Sequence, residues 1–198
     1  MRHHKACAFS RRFVYKLFWQ PIPCSAFLLH DARHFDAIKL YADYLNPEFQ
    51  EEKGIPNLVT TSLLTSRRFD ALKLWISFQS LGREKLASMI DRTLGLADYA
   101  AKLIRAADDL ELICQPQLST VVFRYIVGKE ESKRDRINTE LRENLFHRGA
   151  AVVGHTRIRG RQCLRLTCMN PATSEADLEG LIALIRREGE KSAARIDN

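Results

Sequence analysis

Lys16 is the residue whose setting most invites chemistry. Tyr15, Leu17, Phe18 and Trp19 flank it, and such neighbours partly strip water from an ammonium. Desolvation disfavours the charged form and lowers the pKa of an amine. The neutral amine is a nucleophile that can form a Schiff base with an aldehyde. The same setting suits an inert lysine that lays its stem on an apolar segment and keeps its charge in water, and the residues alone favour that reading. Arg67 and Arg68 stand beside Asp70. Their guanidinium forks can hold a carboxylate or phosphate, but an ion pair with Asp70 is the simpler use, and they are assigned no site. His155, Arg157, Arg159 and Arg161 make a basic strip. RNA binding suits such a strip; a solvated hairpin explains it more simply. His3 and His4 lack the further ligands a metal needs, so no metal is expected.

Composition narrows the classes. The chain has 198 residues, 45% hydrophobic and 28% charged, with a net charge of +7. That is enough chain for one sizeable core, or for one and a small second unit. The positive charge permits an acidic partner without requiring one. Five cysteines, at 7, 24, 114, 163 and 168, contain no CxxC spacing, so neither a disulfide framework nor a zinc site is indicated. Cys114, Cys163 and Cys168 read as small buried hydrophobes, which fits a reducing cytosol. Residues 1–30 are basic, but Lys16, Gln20, Pro21 and Pro23 interrupt any apolar core of a secretory signal. An organelle transit peptide stays open. No apolar run approaches the ~20 residues that span a bilayer.

The elements that must position these residues follow from periodicity. Cys24–Leu29 is a short apolar run and reads as a buried strand. Asp31 opens a helical stretch. Asn46–Asn57, with Pro47, Gly54 and Pro56, reads as a loop. A helix then starts with Thr65 or Ser66 as N-cap and ends near Gly82. It is apolar nearly all round, through Phe69, Leu72, Leu74, Trp75, Ile76, Phe78 and Leu81. Such a helix lies inside something larger, so arginines at its mouth imply a lined cavity or a buried ion pair. The next helix has the clearest period: Leu86, Met89, Ile90, Thr93, Leu94, Ala97, Ala100, Ala101 and Ile104 share one face.

Beyond residue 108 the pattern becomes strand, strand, helix, strand, strand, helix. The strands are Glu111–Cys114, Leu118–Val127, Ala150–His155 and Gln162–Met169, the last two joined through Arg159-Gly160. Leu164, Leu166 and Cys168 alternate with Arg165 and Thr167, so one face is buried. The helix Lys133–Arg148 carries Ile137, Leu141 and Leu145 in register, with Gly149 at C′. Ser174 and Asp177 resemble a capping box for a last helix with Leu178, Leu181, Ile182 and Ile185 inward. The tail after Gly189 is polar and is expected to fray.

Five ordered blocks also carry a family resemblance. SRRFDALKLW (66–75), KLFWQPIPCSAFLLHD (16–31), YADYLNPEFQEEKGIPNLV (41–59), QPQLSTVVFRY (115–125) and NPAT (170–173) resemble the group II pyridoxal-phosphate (PLP) decarboxylases. This family comprises the aromatic amino acid, glutamate and 2,4-diaminobutyrate decarboxylases. The FWQP and NPAT blocks are most similar to the bacterial diaminobutyrate branch. The resemblance implies an α/β fold, locally α+β: the C-terminal part of a fold-type-I PLP enzyme, with helices and a small, mainly antiparallel sheet. It assigns 1–107 to the end of the large PLP domain and 108–198 to a small C-terminal domain.

The same resemblance places Lys16 where the family has its PLP-binding lysine, which is both its catalytic and its cofactor-binding residue. It implies decarboxylation of an amino acid, with the pyridinium taking up the electrons that CO₂ leaves behind. It further implies a cytoplasmic homodimer with a small amino acid substrate, and neither nucleic acid nor membrane as partner. Tyr15 departs from the family's histidine before the lysine. The family's aspartate facing the ring nitrogen, its ring-stacking histidine and its phosphate loop lie upstream of the lysine, where this chain has fifteen residues. A C-terminal fragment is therefore expected. The competing expectation is an inactive piece that associates with a full-length homologue.

Overall fold

The computed structural model describes residues 18–21, 24, 29–55, 57–62, 64–66 and 68–197. The chain forms two compact units, Met1–Gly82 and Arg83–Asn198. The helical run α2 (Ala71–Arg105) contributes to both, because Gly82 interrupts it with φ 73° and ψ 169°. A residue without Cβ enters that region at little cost. The expected end of the first helix near Gly82 is thus where the backbone leaves helical geometry. The segment after Gly82 supplies core residues to the second unit.

In the first unit, a 3-10 helix runs from Ala32 to Ile38, with the Asp31 carboxylate accepting from the Arg33 N–H. The helical stretch expected from Asp31 is therefore present but ends at Ile38. Asn46–Asn57 is not wholly loop: α1 (Glu48–Glu52) lies within it. Pro47 and Gly54, read as loop punctuation, are its start and stop. Proline suits a helix entrance, Glu48 and Glu51 suit the positive end of the dipole, and Gly54 takes φ 75° beyond it. The helix expected from Thr65 begins at Ala71 instead. Asp70 holds Lys73 at 2.7 Å and Arg68 at 3.4 Å. An acid at a helix entrance competes well with Thr or Ser, which displaces the start toward Asp70. The Cys24–Leu29 strand lies mostly outside the described residues.

The expected burial of this helix does not hold within the chain. Phe69 is 73% exposed and Trp75 58%, and Leu72, Ile76, Phe78 and Leu81 are also exposed. Its arginine does not line a cavity either, since the Arg68 side chain is 67% exposed beside Asp70. Arg67 lies outside the described residues.

The second unit is a four-stranded antiparallel sheet in the order β1-β2-β4-β3: β1 (Leu110–Leu112), β2 (Thr120–Tyr125), β3 (Gly154–Ile158) and β4 (Arg161–Thr167). α3 (Glu131–His147) and α4 (Glu175–Asp197) pack on each other, and α3 packs on β2 and β4. The core holds Leu96, Ala97, Ala100, Ala101 and Ile104 of α2 with Phe123, Ile137, Leu141, Leu164 and Ile185. Small residues on α2 let it lie close to its neighbours, as the period predicts. Register pairs Phe123 with Leu164 and Val121 with Leu166, so the expected alternation faces one core.

Turn and cap chemistry sets the rest. Arg159 and Gly160 both take positive φ, 52° and 80°, the two-residue turn that matches strand twist. Gly149 (φ 63°) donates to the Phe146 carbonyl and Ala150 donates to Leu145, which is a Schellman closure. Ala151 also donates to Leu145. These bonds hold 150–151 on the helix end, so β3 starts at Gly154 rather than Ala150. Asp177 N–H donates to Ser174 Oγ, and Ser174 N–H to the Asp177 carboxylate, completing the capping box. The tail does not fray at Gly189. α4 continues to Asp197, with Ser192 and Ala193 buried. Cys163 and Cys168 are buried as expected, and burial pushes both thiols up. Cys114 is exposed, because β1 ends at Leu112.

Candidate functional site

Lys16 lies outside the described residues, so the site is built from what surrounds it in sequence. Two residues on, Phe18 meets Phe78 of α2 edge-to-face, with ring centroids 5.6 Å apart, a favoured aromatic geometry. Four residues on, Gln20 is buried. Its Nε2 donates to Ser77 Oγ at 2.9 Å and to the Phe18 carbonyl at 2.6 Å. Ser77 Oγ in turn donates to the Lys73 carbonyl at 3.0 Å. The Cys24 thiol donates to the Asp70 carbonyl at 3.7 Å. Phe18 and Gln20 are thereby tied to the second and third turns of α2, and Cys24 to Asp70 just before it. Between Phe18 and Gln20, Trp19 takes φ 50°, a left-handed conformation costly for a bulky side chain. The strained residue stands three positions after Lys16.

Two other lysines of this unit, Lys39 and Lys73, are bound to carboxylates. Lys39 reaches Glu51 at 3.1 Å and Asp36 at 3.2 Å, and Tyr41 donates to Glu51 at 2.6 Å. The Glu51 and Asp36 carboxylates hold Lys39 above the ordinary lysine value, and the Tyr41 hydroxyl and Lys39 hold Glu51 below its own. A lysine stabilised as ammonium is the opposite of a carbonyl nucleophile. Lys73 pairs with Asp70 at 2.7 Å, and Lys73 lowers the Asp70 pKa.

The second unit holds charges that sequence reasoning passed over. Arg124 on β2 is fully buried. It donates to Glu131 at 2.7 Å and to Asp135 at 3.1 Å. The hydrogen bond from Arg124 holds Glu131 below the usual carboxylate range. Asp135 also accepts from the Gln162 N–H at 2.9 Å, so Arg124 and Asp135 together link β2, α3 and β4. Asn138 clasps the backbone N–H and carbonyl of Tyr125 at 2.9 Å each. In sequence, only the position of Arg124 inside an apolar strand hinted at a paired, buried charge. The basic strip is a solvated hairpin: His155, Arg157 and Arg159 are exposed, and Arg161 approaches Glu131 at 3.5 Å. His3 and His4 lie outside the described residues. Among the described residues, no cluster of three His, Cys, Asp or Glu could hold a metal, and no helix is long and apolar enough to cross a membrane.

An aromatic segment docked on α2 in the first unit, and helices packed on a four-stranded antiparallel sheet in the second, match known proteins of one kind. Residues 13–126 match the pyridoxal-dependent decarboxylase conserved domain, and the chain belongs to that family. It is similar to the L-2,4-diaminobutyrate decarboxylase of Acinetobacter baumannii, 39% identical over 178 residues, covering 89% of this chain and 35% of that protein. Among solved structures it resembles the glutamate decarboxylase domain of the diaminobutyrate-pyruvate transaminase and L-2,4-diaminobutyrate decarboxylase from Vibrio parahaemolyticus. There the TM-score is 0.60 at 34% identity, covering 68% of this chain and 28% of that one. A structure of Oryza sativa TDC with PLP and tryptamine gives a TM-score of 0.72 at 25% identity, covering 82% of this chain and 34% of the other. The chain spans about a third of the length of the curated relatives it matches.

The family's cofactor is pyridoxal 5′-phosphate. Such a group asks for an amine at its aldehyde, an acid at its ring nitrogen and donors around its phosphate. Among the described residues these are not brought together. Lys39 and Lys73 are bound to carboxylates, and Asp70 is bound to Lys73 and Arg68. The described residues alone do not fit the group.

Proposed function

We propose that the protein this chain represents decarboxylates an amino acid with pyridoxal 5′-phosphate, with L-2,4-diaminobutyrate or a related amino acid as substrate. Lys16 anchors the cofactor through its amine, in a cytoplasmic homodimer. Residues 1–107 then end the large cofactor-binding domain, and 108–198 form the small one. The observation that carries this reading is the docking of residues 18–20 on α2 through Gln20–Ser77 and Phe18–Phe78. It joins two blocks of the family match in space and tethers the chain directly beyond Lys16.

The test uses the purified protein with PLP, followed by borohydride reduction and peptide mass mapping. The expected result is one pyridoxyl group on Lys16, absent in Lys16→Ala, with PLP-dependent CO₂ release from L-2,4-diaminobutyrate by the full-length protein. Labels scattered over many lysines, and no CO₂ from diaminobutyrate, glutamate, an aromatic amino acid or cysteine sulfinate, refute it.

A second reading rests on the exposed face of Phe69, Trp75, Ile76 and Leu81. Apolar surface of that extent is unusual on a monomer. In this reading the chain is an inactive piece that associates with a full-length homologue. A monodisperse monomer that does not co-elute with such a homologue in size-exclusion chromatography counts against it.

A further inference from the structure

A cleft of about 610 Å³ opens on the second unit, between the turn before β1, the end of β2 and α4. Its size falls in the range that holds small ligands. Tyr125 forms its floor. The residue is 3% exposed, and no described residue hydrogen-bonds its hydroxyl. Gly189 lets α4 lie flat on the ring: a Cβ there would stand 2.6 Å from Cδ2 and Cε2 of Tyr125. Burial holds the phenol above its ordinary value, and Asp109 and Glu190 add to the shift. The hydroxyl is therefore a donor at neutral pH.

The charges around it are divided. Arg186 Nε donates to both Asp109 oxygens, at 2.7 and 3.0 Å. These two compensate each other and leave the Arg186 Nη groups without a partner among the described residues. Arg187 and Glu190, which also line the cleft, have no ion-pair partner among the described residues either. A simple anion would meet Glu190 unshielded, and a simple cation would meet Arg187. A dipolar ligand satisfies both, and Val127 offers an apolar wall for a side chain.

We propose that this cleft binds a free zwitterionic amino acid, its carboxylate on Arg187, the Arg186 Nη groups and the Tyr125 hydroxyl, and its ammonium on Glu190. The proposal does not depend on the decarboxylase reading. The test titrates the ¹⁵N-labelled full chain with L-leucine, N-acetyl-L-leucine and L-leucine methyl ester, following amide shifts. L-Leucine is expected to give saturable shifts centred on 109, 125–127 and 186–190. Each capped derivative, lacking one charge, should bind at least about 10-fold more weakly. Tyr125→Phe keeps the ring under Gly189 and should weaken binding about 3-fold. Glu190→Gln, at an exposed position, should weaken it about 10-fold. Absence of saturable shifts, shifts centred elsewhere, equal binding of the capped derivatives, or an unchanged affinity in Glu190→Gln overturns the proposal.

Discussion

Gly189→Ala is the substitution whose outcome the structure decides most sharply. Alanine is the better helix former by about 1 kcal/mol, so helix propensity alone predicts a gain. The new Cβ, however, would sit 2.6 Å from two carbons of the Tyr125 ring and 2.9 Å from a third. Carbon atoms pack at about 3.5–4.0 Å, so ring or helix must retreat by about an ångström. Tyr125 cannot do so freely, since Asn138 holds its backbone on both sides at 2.9 Å. Overpacking of this kind costs about 1–3 kcal/mol or more. Setting the upper part of that range against the propensity gain leaves a net loss of about 1–2 kcal/mol. Gly180→Ala is the control: it lies in the same helix with nothing within 4 Å of its added Cβ, and should gain up to about 1 kcal/mol. Urea unfolding followed by far-UV circular dichroism is the assay. Both tryptophans, Trp19 and Trp75, lie in the first unit and would report on the wrong part of the chain. With m near 1–3 kcal/mol/M, Gly189→Ala should lower the midpoint by about 0.5–1 M while Gly180→Ala raises it. Equal midpoints for the two variants would refute the close approach of α4 to Tyr125.

Three further outcomes follow from the same contacts. Asn138→Leu strands a buried N–H and a buried carbonyl of Tyr125 and should cost about 2–4 kcal/mol; an unfolding midpoint within error of wild type defeats the clasp. Gln20→Ala removes the bond to Ser77 and should loosen residues 18–20 from α2, shifting Trp19 emission to longer wavelength, best read in a Trp75→Phe background; unchanged emission argues that the aromatic contact suffices. Glu131 is lowered from 4.5 mainly by the hydrogen bond from Arg124, and Asp177 from 3.8 mainly by the Ser174 N–H. Because the folded values lie below the unfolded ones, both contributions are present in full above the unfolded carboxylate pKa and fade as pH falls through the folded values. Stability should thus hold level through neutral pH and decline below about 4.5, with a shallower decline in Asp177→Asn; identical acid slopes would contradict this.

The sequence by itself determined the elements whose signals are local. The face of Leu86, Ala97, Ala100, Ala101 and Ile104, the Arg159-Gly160 turn, the Gly149 closure and the Ser174–Asp177 box all depend on neighbours within a turn or a hairpin, and all are where the residues place them. The family was legible for a different reason, since ordered blocks from Lys16 to Thr173 carry it whatever their conformation. Tertiary structure decided what depends on distant partners. Pro47 and Gly54 read as loop but bracket a helix, because proline and glycine serve either use. The polar tail after Gly189 stays helical because Ser192 and Ala193 find the core, a contact no local pattern announces. The helix after Asp70 is apolar enough for an interior, yet this chain leaves much of it exposed, since burial is a property of surroundings and not of composition. The bond of Gln20 to Ser77, the link of Asp135 to Gln162 beside Arg124, and the charged cleft over Tyr125 each join residues more than two dozen positions apart. Their spacing in sequence carries no trace of the geometry, which exists only once sheet and helices close on one another.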